Sequence, residues 1–220
     1  MVGLFDSGSG GLNTARYVKE LSDEVDLVYL IDRDRAPYGI KTEKELIKIT
    51  EDNIERLTDM GAESVLIACC TASTVYHLLN DRCKALSIPI IEAVAKEAKN
   101  ATRLGRIGVI ATNRTVDSHA FKNALSCCEV TELATPKLVT LIDNGLSDRN
   151  IDRETERDVE DMIRPVLEAN ADTLILGCTH FPALKGTVAR IASSYGVRQV
   201  IDSARIGAKA LISAAKKIKR

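Results

Sequence analysis

The stretch AESVLIAC at residues 62–69 decides the fold, because ADTLILGC at residues 171–178 repeats its pattern 109 residues later. Each stretch is a short apolar run that ends directly at a cysteine. A run of this length, bounded by polar residues, is typical of a buried strand. The pair therefore predicts two equivalent strands, each with a thiol at its carboxyl end.

Two further strand ends repeat in the same order and with similar spacing. VGLFDS at residues 2–7 matches IGVIAT at residues 107–112 with an offset of 105, and IIE at residues 90–92 matches VID at residues 200–202 with an offset of 110. One such match between apolar strands could arise by chance, but three in order favour an internal duplication. We therefore expect two similar, pseudo-symmetric lobes.

Strand-like and helix-like segments alternate along the chain, which indicates α/β lobes with mostly parallel sheets. The predicted strands are residues 2–5, 27–31, 64–67, 88–91, 107–110, 129–134, 173–176 and 197–201. The predicted helices are residues 11–21, 42–59, 72–85, 94–100, 115–126, 136–145, 154–169, 183–194 and 205–218. Open parallel sheets bind ligands beyond the carboxyl ends of their strands, so we expect the active site in a cleft between the lobes.

The boundary between the lobes is predicted where a helical segment runs into the strand that opens the second repeat. The first lobe then covers residues 1–97 and the second covers residues 98–203, with a C-terminal helix over residues 204–220 returning to the first lobe. No Pro-rich or low-complexity linker lies between them, so we expect the lobes to pack together.

Composition and charge exclude several classes of protein. The 220 residues are 45% hydrophobic and 28% charged, as in an ordinary globular protein. Thirty Lys and Arg against 31 Asp and Glu leave a net charge of −1, so no overall field attracts nucleic acid or an anionic membrane. Neither a secretion signal nor a run long enough to span a bilayer is present, so we expect a cytoplasmic protein with reduced cysteines.

Cys69 and Cys178 are the candidate catalytic residues. Inverting a stereocentre by proton exchange requires a group that removes the proton on one face and another that delivers it on the opposite face. Each thiol has a possible partner for general acid/base work: Asp6, at a strand end of the first lobe, for Cys69, and His180 for Cys178.

Two other interpretations of these cysteines stay open. A cysteine at a strand end is often a small buried apolar residue, although the duplicated placement of Cys69 and Cys178 favours function. A zinc site could use Cys69, Cys70, Cys178 and His180, but the chain has no C-x-x-C pair and only three histidines. The remaining cysteines lack the spacing of usual metal ligands and are predicted to be structural: Cys83, Cys127 and Cys128.

Two loops are candidate anion-binding sites. DSGSGG at residues 6–11 joins a strand to a helix, where amides and hydroxyls could bind a carboxylate; a plain tight turn is the alternative. The glycine spacing fits neither a P-loop nor a dinucleotide fingerprint. RAPYG at residues 35–39 forms a predicted turn whose amides and phenol hydroxyl could bind a second carboxylate.

Together these blocks resemble the aspartate/glutamate racemase family, and within it the glutamate-specific members. The resemblance rests on FDSGxGGL at residues 5–12, PYG at residues 37–39, ACxTAS at residues 68–73 and GCTHFP at residues 177–182, and extends to LIDNG at 141–145 and IDS at 201–203. It implies two flavodoxin-like lobes facing across the substrate and proton transfer between two cysteines through a carbanion-like state. It implies neither a cofactor nor a metal.

Carried over by position, the resemblance assigns roles to individual residues. Cys69 and Cys178 are similar to the two acid/bases, and Asp6 and His180 to their assisting groups. Positions that hold the substrate α-amino and α-carboxylate groups are matched by Ser7, Thr71 and Thr179, with Thr112 and Thr115 as further candidates. Positions at the distal carboxylate are matched by Pro37, Tyr38 and Gly39, with Asp32 as a further acidic residue near the site.

The sequence departs from the family pattern at two positions. Cys70 stands where the motif usually has an asparagine that contacts the substrate, so an amide is replaced by a weak hydrogen-bonding group. Asp143 stands where a glutamate is usual and is one methylene shorter. Because an unpaired substrate group costs binding energy, Cys70 leaves the choice of substrate open.

The favoured function is racemisation of glutamate, which supplies D-glutamate for peptidoglycan-type cell-wall synthesis if the host makes a wall. Alternatives are racemisation of aspartate or another amino acid, and a non-catalytic ligand-binding protein on the same scaffold. The expected partners are a small amino-acid substrate and a second copy of the chain in a homodimer, with neither nucleic acid nor membrane involved.

Overall fold

A computed structural model describes residues 1–218, which form two compact units. The first lobe contains Met1–Ala93 and the chain from Ala204 onward, and the second contains Val94–Ser203. The boundary expected at residues 97 and 98 stays a prediction. The last two residues of the helix expected over 204–220 lie outside the described residues.

The first lobe is a parallel four-stranded sheet flanked by helices. Its strands β1 (Val2–Asp6), β2 (Leu27–Ile31), β3 (Ser64–Ile67) and β4 (Ser87–Pro89) lie in the order β2-β1-β3-β4. Its helices are α1 (Gly11–Leu21), α2 (Glu43–Asp59), α3 (Cys70–Ser73), α4 (Asp81–Leu86), the start of α5 (Ile90–Ala101) and α11 (Ser203–Ile218). A capping box between Thr42 and Glu45 starts α2, whose apolar face packs against Phe5 and Ile67 of the sheet.

The second lobe has the same plan. Its strands β5 (Arg106–Ala111), β6 (Glu129–Ala134), β7 (Thr173–Gly177) and β8 (Gln199–Asp202) lie in the order β6-β5-β7-β8 and are parallel. Its helices are α6 (Asn113–Asp117), α7 (Ala120–Ala124), α8 (Pro136–Asp143), α9 (Arg153–Leu167) and α10 (Lys185–Ser194), in addition to most of α5. The prediction of two α/β lobes with parallel sheets is confirmed, and each strand takes the same place in its sheet as its counterpart.

All eight predicted strands are present, but two predicted helices are wrong. The helix expected over 72–85 is three short pieces, α3, a turn at Tyr76–Leu78 and α4, because Leu79 is extended and the Asn80 side chain caps α4 through the amide of Cys83. The helix expected over 115–126 is broken at His119, whose φ of 52° lies in the left-handed region. Among residues 1–218, no helix is long and apolar enough to cross a membrane.

Candidate active site

Cys69 lies directly beyond the carboxyl end of β3 and precedes α3. The thiol is buried, with 6% of the residue exposed, and its Sγ lies 3.6 Å from the Ser7 hydroxyl. Burial and the nearby Asp6 carboxylate raise the pKa of Cys69 to about 11, although hydrogen bonds from the Ala72 amide, the Ser7 hydroxyl and the Thr71 amide act in the opposite direction. At neutral pH the thiol therefore carries its proton and can act as a proton donor.

Asp6 ends β1 and is fully buried. Its Oδ1 accepts a hydrogen bond of 2.9 Å from the Gly8 amide. One amide of the loop that was expected to bind an anion is therefore already bonded to the carboxylate of Asp6. The Tyr29 hydroxyl donates to the Gly8 carbonyl at 3.1 Å. Gly11 is required here, because a Cβ at that position would lie 2.5 Å from the Asp6 Cβ. The loop therefore fixes the carboxylate of Asp6 beside the Cys69 thiol.

Cys70 and Thr71 form the first residues of α3, and both are buried. Their position directly after Cys69 places them at the same sheet edge as Asp6, because β1 and β3 are parallel neighbours in register. The cysteine in place of the usual asparagine thus lies beside the candidate thiol. The first lobe brings Asp6, Ser7, Cys69, Cys70 and Thr71 to one end of one sheet.

Cys178 follows β7 in the second lobe as Cys69 follows β3 in the first. Its Sγ lies 3.5 Å from Nδ1 of His180, and Nε2 of the same imidazole lies 3.1 Å from Oδ1 of Asp143 at the end of α8. Cys178 and His180 are buried, whereas half of the Asp143 side chain is exposed. A thiol, an imidazole and a carboxylate thus form a continuous relay. The sequence predicted Asp143 only as a position that departs from the family pattern. In the structure its carboxylate contacts His180 directly.

Threonines lie near Cys178, beyond the carboxyl ends of the strands of the second lobe. Ala111 pairs with Gly177 in the sheet, so Thr112 and Cys178 are the first residues beyond adjacent strand ends. Thr112 caps α6, with its hydroxyl 3.0 Å from the Thr115 hydroxyl, and Thr179 is buried next to Cys178. The second lobe therefore brings its predicted site residues together, as the first lobe does.

Asp32 and Tyr38 belong to a buried polar network behind the loop at residues 35–39. The Tyr38 hydroxyl donates to Oδ2 of Asp32, which also accepts from Arg35 Nε at 2.7 Å and from Asn53 Nδ2 at 3.1 Å. Asn53 Nδ2 donates to the Tyr38 hydroxyl at 2.9 Å, and Asn53 Oδ1 accepts from Arg35 at 2.6 Å. Burial raises the pKa of Asp32, but the hydrogen bonds from Tyr38 and Asn53, together with Arg35, outweigh it and lower that pKa.

This network changes the expected role of Tyr38. Its phenol hydroxyl, expected at a substrate carboxylate, is bound inside the lobe to Asp32 and Asn53. Pro37 is exposed, and a Cβ on Gly39 would meet no atom within 4 Å. Tyr38 is therefore the buried anchor of the loop, whereas Pro37 and Gly39 lie on its more open side.

The sequence matches the family described as Asp/Glu/Hydantoin racemase over residues 12–211. The chain belongs to this family. Among its relatives, a glutamate racemase of Desulforudis audaxviator is 40% identical over 195 residues, which are 86% of this chain and 70% of the relative. Among solved structures, glutamate racemase RacE1 of Bacillus anthracis has a TM-score of 0.87 at 28% identity, covering 99% of this chain and 82% of that one.

A second solved relative was captured with a ligand. Glutamate racemase of Francisella tularensis, in complex with D-glutamate, has a TM-score of 0.85 at 28% identity, covering 99% of this chain and 81% of that chain. These similarities extend over both lobes of the racemase-family fold. The chain is thus an amino-acid racemase, an isomerase, by its family and its relatives.

Two members of the network around Asp32 were not predicted from the sequence of this racemase-family protein: Asn53, and the side chain of Arg35, whose loop was predicted only as a turn. Asn53 is fully buried on α2, on the same face as Leu46, Ile49 and Leu57. A buried amide on an apolar helix face requires hydrogen-bond partners. The position of Asn53 in the 3.6-residue period of α2 could therefore have indicated a buried polar contact. Arg35 gave no comparable signal, because its partners on α2 are about 18 residues away in the chain.

Proposed function

We propose that the protein interconverts L- and D-glutamate without a cofactor, with Cys69 and Cys178 exchanging the α-proton. The observation that supports this proposal is that each lobe has a buried thiol beyond an equivalent strand, with the Ser7 hydroxyl beside Cys69 and the His180 imidazole beside Cys178. The glutamate racemases among the relatives support glutamate as the substrate.

In the proposed mechanism one thiolate removes the α-proton and the other thiol donates a proton to the opposite face. The bond from the α-carbon to hydrogen breaks, its electron pair stays on the α-carbon next to the carboxylate, and a new bond forms to the incoming proton. The high pKa of Cys69 suits it to the donating role in the resting protein. For Cys69 to act as the base in the reverse direction, it has to start as the thiolate that it becomes on donating its proton to the α-carbon, with Asp6 as its proposed assisting group.

Cys178 is served by a different relay. The imidazole of His180 can accept the thiol proton through Nδ1, while Asp143 holds Nε2 and fixes the orientation of the ring. An imidazolium in that position would lie between a thiolate and a carboxylate and would stabilise both. This is the physical reason to assign base chemistry to Cys178 and proton storage to His180.

The remaining predicted residues are proposed to hold the substrate. Hydroxyl groups at the strand ends suit the α-amino and α-carboxylate groups: Ser7, Thr71, Thr112, Thr115 and Thr179. The backbone at Pro37, Tyr38 and Gly39 suits the distal carboxylate, with Asp32 as its support. Metal and cofactor chemistry are not part of the proposal.

Aspartate or another amino acid is the second candidate substrate, and Cys70 favours it. A buried thiol replaces a two-way amide beside Cys69, and a weaker hydrogen bond at that position would cost glutamate affinity. The measurement below therefore compares both acids.

The test is proton NMR in deuterated water with each enantiomer of glutamate and aspartate and no added cofactor, followed together with optical rotation. Loss of the α-proton signal with loss of rotation is expected, faster for glutamate. Cys69→Ser and Cys178→Ser should each reduce racemisation by about 10²-fold or more, whereas Cys83→Ser, a buried cysteine outside the site, should not. Ligand binding without exchange would favour the binding-protein interpretation, and faster exchange with aspartate would favour the second substrate.

Three biological proposals accompany this function. The protein supplies D-glutamate for peptidoglycan-type wall synthesis, works as a homodimer, and is cytoplasmic. Complementation of a D-glutamate-requiring bacterial strain tests the first, and sedimentation of the purified chain tests the second. Fractionation of the source cells tests the third.

A further inference from the structure

A groove lined by five charged side chains lies between α9 and α10 on the surface of the second lobe. Its volume is about 390 Å³, which is enough for a small-molecule ligand. The two helices pack together through buried apolar residues, among them Val159 and Val188. The groove itself is lined by Arg153, Glu156, Arg157, Glu160 and Arg190. Such walls suit a charged solute and not an apolar one.

The two carboxylates of the groove already have partners within the lobe. Glu156 forms an ion pair with Nη1 of Arg190 across the two helices, and only 28% of the Glu156 side chain is exposed. Glu160 accepts a hydrogen bond of 2.8 Å from the Tyr195 hydroxyl, and its Oε1 lies 3.9 Å from Nη2 of Arg164. The negative charges of the groove are therefore balanced by side chains of the protein.

Arg153 and Arg157 are the charges of the groove that have no such balance. In the described part of the chain, neither guanidinium takes part in an ion pair or a hydrogen bond to another side chain. The two residues are four positions apart on α9, where like charges face each other and destabilise the helix. An anion between them would replace this repulsion by attraction. The groove thus offers two adjacent positive charges to a ligand.

We propose that this groove binds a phosphate monoester, with Arg153 and Arg157 holding the phosphate group. A guanidinium is planar and donates two parallel hydrogen bonds to phosphate or carboxylate oxygens. A carboxylate has two oxygens and one negative charge, which a single arginine satisfies. The phosphate of a monoester has three terminal oxygens and about −1.5 to −2 charges at pH 7, so it matches two arginines one helical turn apart. The volume of the groove leaves room for the organic part of the ligand.

The proposed phosphate site is independent of the candidate active site. None of the five lining residues belongs to the predicted site residues of the second lobe, which follow the carboxyl ends of β5 and β7. Phosphate and glutamate should therefore bind without competing. Failure of racemisation would count against the proposed function and not against this groove.

The test is a titration of inorganic phosphate, and separately of glycerol 3-phosphate, with the protein at pH 8 and constant ionic strength. The width of the phosphorus NMR signal reports binding, and both signals should broaden saturably, with acetate at least about tenfold weaker as a competitor. Arg153→Gln and Arg157→Gln should each weaken binding by about tenfold or more, because each removes hydrogen bonds between charged groups. Arg157→Lys keeps the charge but not the planar fork, so it should weaken binding by about threefold.

Glu156→Gln gives a test in the opposite direction. It removes one carboxylate from the groove and releases Arg190 to the ligand, so phosphate should bind about threefold more tightly or better. Arg82→Gln, which removes an exposed arginine of the first lobe, is the matched control for net charge and should bind as the wild type does. Circular dichroism of every variant, expected to match wild type, separates lost binding from lost folding.

Four results would overturn the proposal. The first is the absence of saturable broadening with the wild-type protein, and the second is wild-type binding by both Arg153→Gln and Arg157→Gln. The third is an equal loss of binding in Arg82→Gln, which would reduce the effect to the overall charge. The fourth is displacement of phosphate by saturating D-glutamate, which would place the phosphate at the racemase site.

Discussion

Asn53→Leu should destabilise the first lobe although the two side chains are similar in size. Asn53 donates to Asp32 at 3.1 Å and to the Tyr38 hydroxyl at 2.9 Å, and accepts from Arg35 at 2.6 Å. A hydrogen bond to a charged group contributes about 1.5–3 kcal/mol, and Arg35 is partly exposed, so water can replace its lost acceptor. Loss of the two buried bonds therefore predicts about 2–4 kcal/mol lost from the free energy of unfolding at pH 7.

Thr50→Val is the matched control, one turn earlier on the same buried face of α2. The Thr50 hydroxyl is buried and has no hydrogen-bond partner in the described structure, so its removal should be neutral or stabilise by about 1 kcal/mol. Urea unfolding followed by circular dichroism measures both variants, with the midpoint compared at constant m value. A loss in Asn53→Leu within about 0.5 kcal/mol of that in Thr50→Val would refute the energetic role of the network.

The same pair of variants gives a pH test. The carboxyl of Asp32 has a pKa of about 3.9 in the unfolded chain and a lower pKa in the folded protein. Its contribution to stability is therefore fully present above about pH 5 and declines as the pH falls through the folded pKa. Removal of the Asn53 donor brings the folded pKa closer to the unfolded one, so the difference from wild type should shrink between about pH 5 and pH 3. A deficit that stays constant over that range would contradict this reasoning.

Three further predictions concern single carboxylates. Asp143→Asn, which removes the carboxylate at His180, should slow racemisation by about tenfold or more and change its pH profile, with folding unchanged by circular dichroism. Asp148→Ala should cost about 1–2 kcal/mol in urea unfolding, because its carboxylate accepts from the amides of Gly186 and Thr187 at the start of α10. Asp172→Asn should cost about 2 kcal/mol near pH 7 and less towards pH 3, because hydrogen bonds from Thr102, Arg103 and Leu104 outweigh burial and lower the pKa of Asp172.

The strands were predictable from the sequence and the side-chain networks were not. Buried parallel strands read as short apolar runs, and the positions of Cys69 and Cys178 followed from them. Apolar periodicity also continued across Asn80 and His119, so it could not show that new helices begin there, α4 at the Asn80 cap and α7 after the left-handed His119. The contact of Asp143 with His180 joins residues 37 apart in the chain, and no local pattern specifies such a distance.

The duplication preserved one feature in the two lobes and changed another. Each lobe has a thiol beyond its third strand, but Cys69 has Ser7 and the buried carboxylate of Asp6 beside it, whereas Cys178 has the His180–Asp143 relay. Burial and a negative neighbour keep the first thiol protonated, and an imidazole can accept the proton of the second. In the proposed mechanism the two enantiomers are therefore deprotonated by thiolates that have different neighbours. The kcat values of the two directions should then depend differently on pH, whereas kcat/KM has to stay equal in both directions because two enantiomers have the same free energy in water.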